Sequence, residues 1–152
     1  MSQDETAPKT VAVLLTQVAT AQALAATCAL NKVKATIVPS PIGAYAVAHD
    51  VSPAATAHLA KAVSSLVKTV PAILIQSTQG QMTATQWQGG VEEGTLPPAL
   101  VLDGAPHELE DVLFGVVEPE SLEGSLDSAK ISRFKAMRIL AATARQYKAK
   151  AQ

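Results

Sequence analysis

Five residues, Pro39-Ser-Pro-Ile-Gly43, constrain the fold of this 152-residue chain more than any other stretch. They separate two short apolar runs, Ala35-Thr-Ile-Val38 and Ala44-Tyr-Ala-Val-Ala-His49, each with the residue types that favour strands. A parallel crossover takes about a dozen residues or more, whereas five that include two prolines and a glycine can only turn the chain back. The two strands are therefore predicted as an antiparallel hairpin.

The flanking pattern extends that reading. Val11-Ala-Val-Leu-Leu15 is a continuous apolar run suited to a strand buried on both faces, and alanine-rich Thr20 to Leu30 reads as a helix stopped by Asn31. After the hairpin, Ser52-Pro53 supplies a capping hydroxyl and a first-turn proline. Leu59, Val63, Leu66 and Val70 then recur at helical spacing as the predicted buried side, until Pro71. Ala72 to Gln76 and Met82 to Trp87 follow as two strands joined at Gln79-Gly80. The first six elements run β-α-β-β-α-β, so the predicted class is α+β: a ferredoxin-like core with one extra hairpin strand and C-terminal helices. A doubly wound α/β sheet is the alternative if the linker is misread.

By domain, residues 1–9 read as a disordered tail and 10–88 as the ferredoxin-like core. Residues 89–152, an acidic segment and a basic helix, belong to the same domain. Gly89-Gly90 opens this last region. Ala99 to Leu102 is expected as a short strand. A helix behind Pro106 should bury Leu109, Val112, Leu113 and Val116. The terminal helix is expected from about Asp127 to Lys148, with Phe134, Met137, Leu140, Ala141, Ala144 and Tyr147 on its apolar side.

Composition matters chiefly through what it excludes. The chain is 48% hydrophobic and 16% charged, which excludes a disordered chain, and only 3% aromatic with 28 alanines, which favours helices lying close to a sheet. Thr10 to Asn31 carries no charge, but Asp4 and Glu5 precede it and Gln17 and Gln22 interrupt it, so it reads neither as a leader nor as a membrane span. Cys28 stands alone on an apolar helix face without a neighbouring base. It is expected to be a structural thiol in a cytosolic protein.

The net charge of −1 conceals strong segregation. Residues 92–127 hold ten acids and no base, and residues 128–152 hold seven bases and no acid. Two arrangements answer the repulsion inside the acidic block. Either the basic helix folds back over it, or one block meets a partner, with Lys135, Arg138 and Arg145 lying along one side of the helix as the gripping residues.

Chemical motifs are sparse. The chain has no phosphate-binding glycine loop, no nucleophile elbow and no paired histidine ligands among His49, His58 and His107; no metal or cofactor is predicted. The RNA-recognition motif shares this element order, yet its base-stacking positions fall here on Ala44, Ala46 and His49 and its basic position on Ile42, so RNA binding is not expected. One constellation remains. Tyr45, Val47 and His49 share one face of the third strand and Ala44, Ala46 and Ala48 the other, which packs on helices. If Trp87 joins the first face, Tyr45, His49 and Trp87 form a contact surface, unless the C-terminal helices cover it.

The function expected from these residues is non-enzymatic: contact with a protein partner or with a second copy, with neither membrane nor nucleic acid involved. Two alternatives stay open. One is a small-ligand protein or enzyme using the sheet face, with His49 as acid/base and Tyr45 or Trp87 lining the pocket; the other is nucleic-acid binding through the basic helix.

Overall fold

The structure, a computed structural model, describes residues 10–66, 68–79 and 81–151, except the side chains of 146–151. The tail predicted over 1–9, the turn residue Gly80 and the side chain of Tyr147 lie outside the described residues. The chain alternates strands and helices as β1 (Thr10–Leu15), α1 (Ala21–Leu30), β2 (Ala35–Val38), β3 (Tyr45–Ala48), α2 (Pro53–Leu66), β4 (Ala72–Thr78) and β5 (Gln81–Gln88). It continues as β6 (Val91–Leu96), α3 (Pro98–Asp103), α4 (His107–Leu113), β7 (Leu126–Asp127) and α5 (Arg133–Ala151), with 3-10 turns at Pro119–Ser121 and Ser128–Lys130.

The protein is thus a mixed helix and sheet structure, one open sheet in the order β6-β5-β4-β1-β3-β2-β7. Every neighbouring pair is antiparallel, which excludes the doubly wound alternative. The predicted hairpin is present, with Ala35 opposite Ala48 and Val38 opposite Tyr45. Its turn presses on the β1–α1 connection. Thr16 Oγ1 donates to the Ala44 carbonyl at 2.7 Å, and Gly43 sits at φ +131°, where a Cβ would overlap the Thr16 carbonyl oxygen. Only glycine fits both the conformation and the space.

Each sheet face carries its own core. On one, Leu14, Leu74, Ile37 and Ala46 pack with α1 and α2. On the other, Val13, Val38, Tyr45, Val47 and Ile75 pack with Leu109, Val112 and Leu113 of α4, and Val101 and Leu102 of α3 join them. Helix α1 is capped by Thr20, whose hydroxyl accepts from the Ala23 amide at 3.1 Å. It is apolar nearly all round and buried from Ala23 to Cys28. Such a helix needs a cover on its outer side, and α5 lies across it.

Several expectations need correction. Ala99 to Leu102 is not a strand but most of α3, where Pro98 occupies the first helical turn. Gly89 and Gly90, at φ +61° and +84°, make a two-residue hairpin turn into β6, a strand that the polar Val91-Glu-Glu-Gly-Thr did not announce. Val116 lies beyond the end of α4 and is exposed.

Helices α2 and α5 also depart from expectation. Leu59 and Val63 are buried as predicted, together with Thr56, Ala60 and Ser64, but Leu66 is 47% exposed. At about 100° per residue Leu66 lies on the same side as Leu59, so its exposure reflects its place as the last residue of α2, which ends there and not at Pro71. Small residues let α2 approach the sheet, and Ser64 adds a polar anchor by accepting from the Gly90 amide at 3.0 Å. Helix α5 begins at Arg133 rather than Asp127, after Ser128 has tied its approach to β2. The buried Ser128 hydroxyl donates to the Val33 carbonyl at 2.7 Å and accepts from the Ala35 amide at 2.9 Å. The helix docks through Ala136 and the partly buried Ile139, Leu140 and Thr143; Phe134, Met137, Ala141 and Ala144 face outward. Alanine against alanine-rich α1 brings the two backbones closer than Phe134 would permit.

Candidate functional site

The six residues singled out in the sequence do not form one site. Tyr45 is fully buried on the α4 side of the sheet, whereas Trp87 is buried in the opposite core. Trp87 pairs with Ala72 on β4, and both lie on the α1–α2 face with Leu74. The face holding Tyr45 is covered by α3 and α4, so the surface of Tyr45, His49 and Trp87 does not exist. The physical reason is the exposed apolar area of a bare sheet, which the acidic segment covers.

Burial removes Tyr45 from acid–base chemistry. Desolvation, and secondarily the Glu108 carboxylate, raise its phenol well above the ordinary tyrosine range. Its hydroxyl and the Trp87 indole N–H are buried without a hydrogen-bond partner among the described residues. An unpaired buried hydroxyl costs about 1–3 kcal/mol, so Tyr45→Phe is expected to leave the unfolding free energy unchanged or raise it by up to about 1 kcal/mol. Urea denaturation of the two proteins measures this, and a loss above ~1 kcal/mol would show that the hydroxyl is satisfied. Cys28 is buried as expected, and burial pushes its thiol up to about 12, so it is no nucleophile at neutral pH.

His49 sits just past β3 and is exposed. Its Nε2 lies 2.8 Å from Thr36 Oγ1, which donates to Glu120 Oε1 at 3.3 Å. The hydroxyl has one proton and the carboxylate none, so His49 Nε2 is the donor to Thr36. Thr36 and Glu120 belong to an open groove of about 470 Å³ along the β7 edge, together with Asp127, Lys130, Lys135 and Ile139. His49 does not line it. The groove holds both signs of charge, from Glu120, Asp127, Lys130 and Lys135, on a rim open to water. Among the described residues no group of three or more His, Cys, Asp and Glu is arranged to hold a metal ion.

Helix α5 presents the clearer feature. Phe134, Arg138, Ala141 and Arg145 follow one another at i, i+4, i+7 and i+11, directly opposite the Ala136 side that docks on α1, and all four are exposed. Phe134 is 72% exposed and Met137 beside it 56%. The Arg138 guanidinium stands 5.4 Å from the centre of the Phe134 ring, a cation–π contact that holds both side chains outward. Arg138 and Arg145 therefore share this ridge, while Lys135 points round toward the groove. The sequence reading placed the cations beside an apolar side. It missed that the larger apolar residues lie among them, since only the docking of α5 on α1 tells which side of the helix is outer.

That docking also corrects the charge argument. The basic helix does not fold back over the bulk of the acidic segment. Helices α3 and α4 cover one sheet face and α5 lies outside α1 on the other, and among the described side chains the two blocks come together at the groove that Glu120, Asp127, Lys130 and Lys135 line. No helix among the described residues is long and apolar enough to cross a membrane. Compared with protein families, with curated proteins and with solved structures, the chain shows no significant similarity to any.

Proposed function

We propose that this protein is a non-enzymatic protein–protein contact module that works through the outer ridge of α5. The observation that carries the reading is the exposure of Phe134 and Met137 beside Arg138, on the outer side of α5 that Arg145 continues. An aromatic residue, a methionine and two arginines are the residue types that anchor protein interfaces, and a helix presenting them at i, i+3, i+4 and i+11 matches the face an acidic partner would cover. The fold beneath is read as a ferredoxin-like core carrying C-terminal elaborations. The β-α-β-β-α-β order of the first six elements and the position of β1 between β3 and β4 support this. The proposed setting is the cytosol, where a lone buried thiol such as Cys28 stays reduced.

A photo-crosslinking amino acid placed at Phe134 in cells producing the full chain tests the reading, with the exposed Leu66 of α2 as the control. Discrete adducts from position 134 and none from position 66 are expected, with their yield cut at least about tenfold by Arg138→Glu with Arg145→Glu, since like charges across an interface cost several kcal/mol. Equal labelling at both positions, or none at 134, overturns the reading.

A further inference from the structure

We infer that the partner of the α5 ridge is the acidic face of a second copy of this chain, so that copies associate head to tail. This rests on the contact role proposed for α5 and names its occupant. The opposite side of the sheet also carries exposed apolar residues. There Leu100 of α3 and Phe114 and Val116 just past α4 are 69%, 55% and 74% exposed. Around them Asp103, Glu110, Asp111 and Glu118 are exposed too. The α5 ridge repeats this arrangement with the sign reversed: Phe134 and Met137 as apolar anchors, with Arg133, Arg138 and Arg145 exposed about them. Apolar anchors inside a charged rim are the anatomy of a protein interface, and here the two rims are opposite in sign.

One copy cannot join its own two surfaces. The sheet and α1 stand between them, because α5 packs on α1 and α4 on the other face of β1. A two-fold dimer through either surface alone fails on charge, since residues 128–152 carry no acid to meet their seven bases and residues 92–127 carry no base to meet their ten acids. The arrangement that pairs opposite signs is heterologous, with α5 of one copy on α3 and α4 of the next. Such contacts propagate into rings or filaments instead of stopping at two.

Sedimentation analysis of the purified full chain across a concentration series tests the inference. In ~0.1 M salt the average mass is expected to climb past that of a dimer, and ~1 M salt, with its Debye length of about 3 Å, should reverse most of the gain. Arg138→Glu with Arg145→Glu should weaken association roughly 100-fold, and so should Glu110→Arg with Asp111→Arg, because either change sets like charges against each other. All four positions are exposed, so unchanged thermal melts should show that the variants fold. The chain carrying both reversals should associate again to within about tenfold of the original, as should an equimolar mixture of the two reversed chains. A chain that stays monomeric throughout overturns the inference, as does a dimer indifferent to Glu110→Arg with Asp111→Arg. If the purified chain is monomeric while position 134 crosslinks to a different protein in cells, self-association falls and the contact role of α5 stands.

Discussion

Removal of residues 131–152 lowers the unfolding free energy by roughly 3–5 kcal/mol, the sum expected when the half-buried Ile131, Ile139 and Leu140 and the buried Ala136 are lost and the outer side of α1 is uncovered, at ~0.8 kcal/mol per buried methylene. Urea denaturation of the truncated and full chains measures the difference. Two features of the loss distinguish this account from one based on charge. If α5 chiefly neutralised the ten acids of residues 92–127, the truncated chain would regain stability at ~1 M salt as their repulsion was screened. Since Asp103, Glu108, Glu110 and Asp111 of α3 and α4 lie across the sheet from α5, the loss should largely persist in salt. A thermally silent truncation would mean that α5 does not cover α1 at all, and substantial recovery in salt would restore the fold-back arrangement.

The second large effect separates two leucines of one helix. Leu59→Ala should cost about 2–5 kcal/mol, because Leu59 is fully buried between α2 and the sheet and its removal leaves a cavity among Leu14, Ala60 and Val63. Leu66→Ala should cost no more than about 0.5 kcal/mol, the ordinary figure for a surface position. Equilibrium unfolding of the two variants measures both, and near-equal losses would place the buried stripe of α2 along Leu59, Val63 and Leu66 after all.

Those two leucines also show where sequence reading stopped. Periodicity located α2 and found Leu59 and Val63, but it weighted large apolar residues and so drew the stripe through Leu66. The helix instead buries the small Thr56, Ala60 and Ser64 beside Leu59 and Val63, and it stops at Leu66, whose side chain is left exposed at its end. The same bias misjudged α5, where Phe134 and Met137 were assigned to the core and Ala136 took their place. In an alanine-rich protein, close approach of backbones competes with burial of bulky side chains, and hydropathy counts only the second.

What the sequence determined by itself was local. A five-residue linker with two prolines and a glycine can only reverse the chain, so the β2–β3 hairpin followed from chain reach alone. An uninterrupted apolar run made β1 a strand buried on both faces, and a thiol on an apolar helix face was bound to be structural. The segregation of ten acids from seven bases was likewise written in the chain. Which surfaces those charges occupy was decided only by tertiary structure. The acidic helices cover the face that would have exposed Tyr45, Trp87 turns to the other core, and α5 settles on α1 with its phenylalanine outward. None of these choices is local, since each depends on which of two sheet faces a distant segment packs against with a matching shape. Packing across the sheet, rather than spacing along the chain, put the acids of α3 and α4 on the opposite side of the sheet from the arginines of α5.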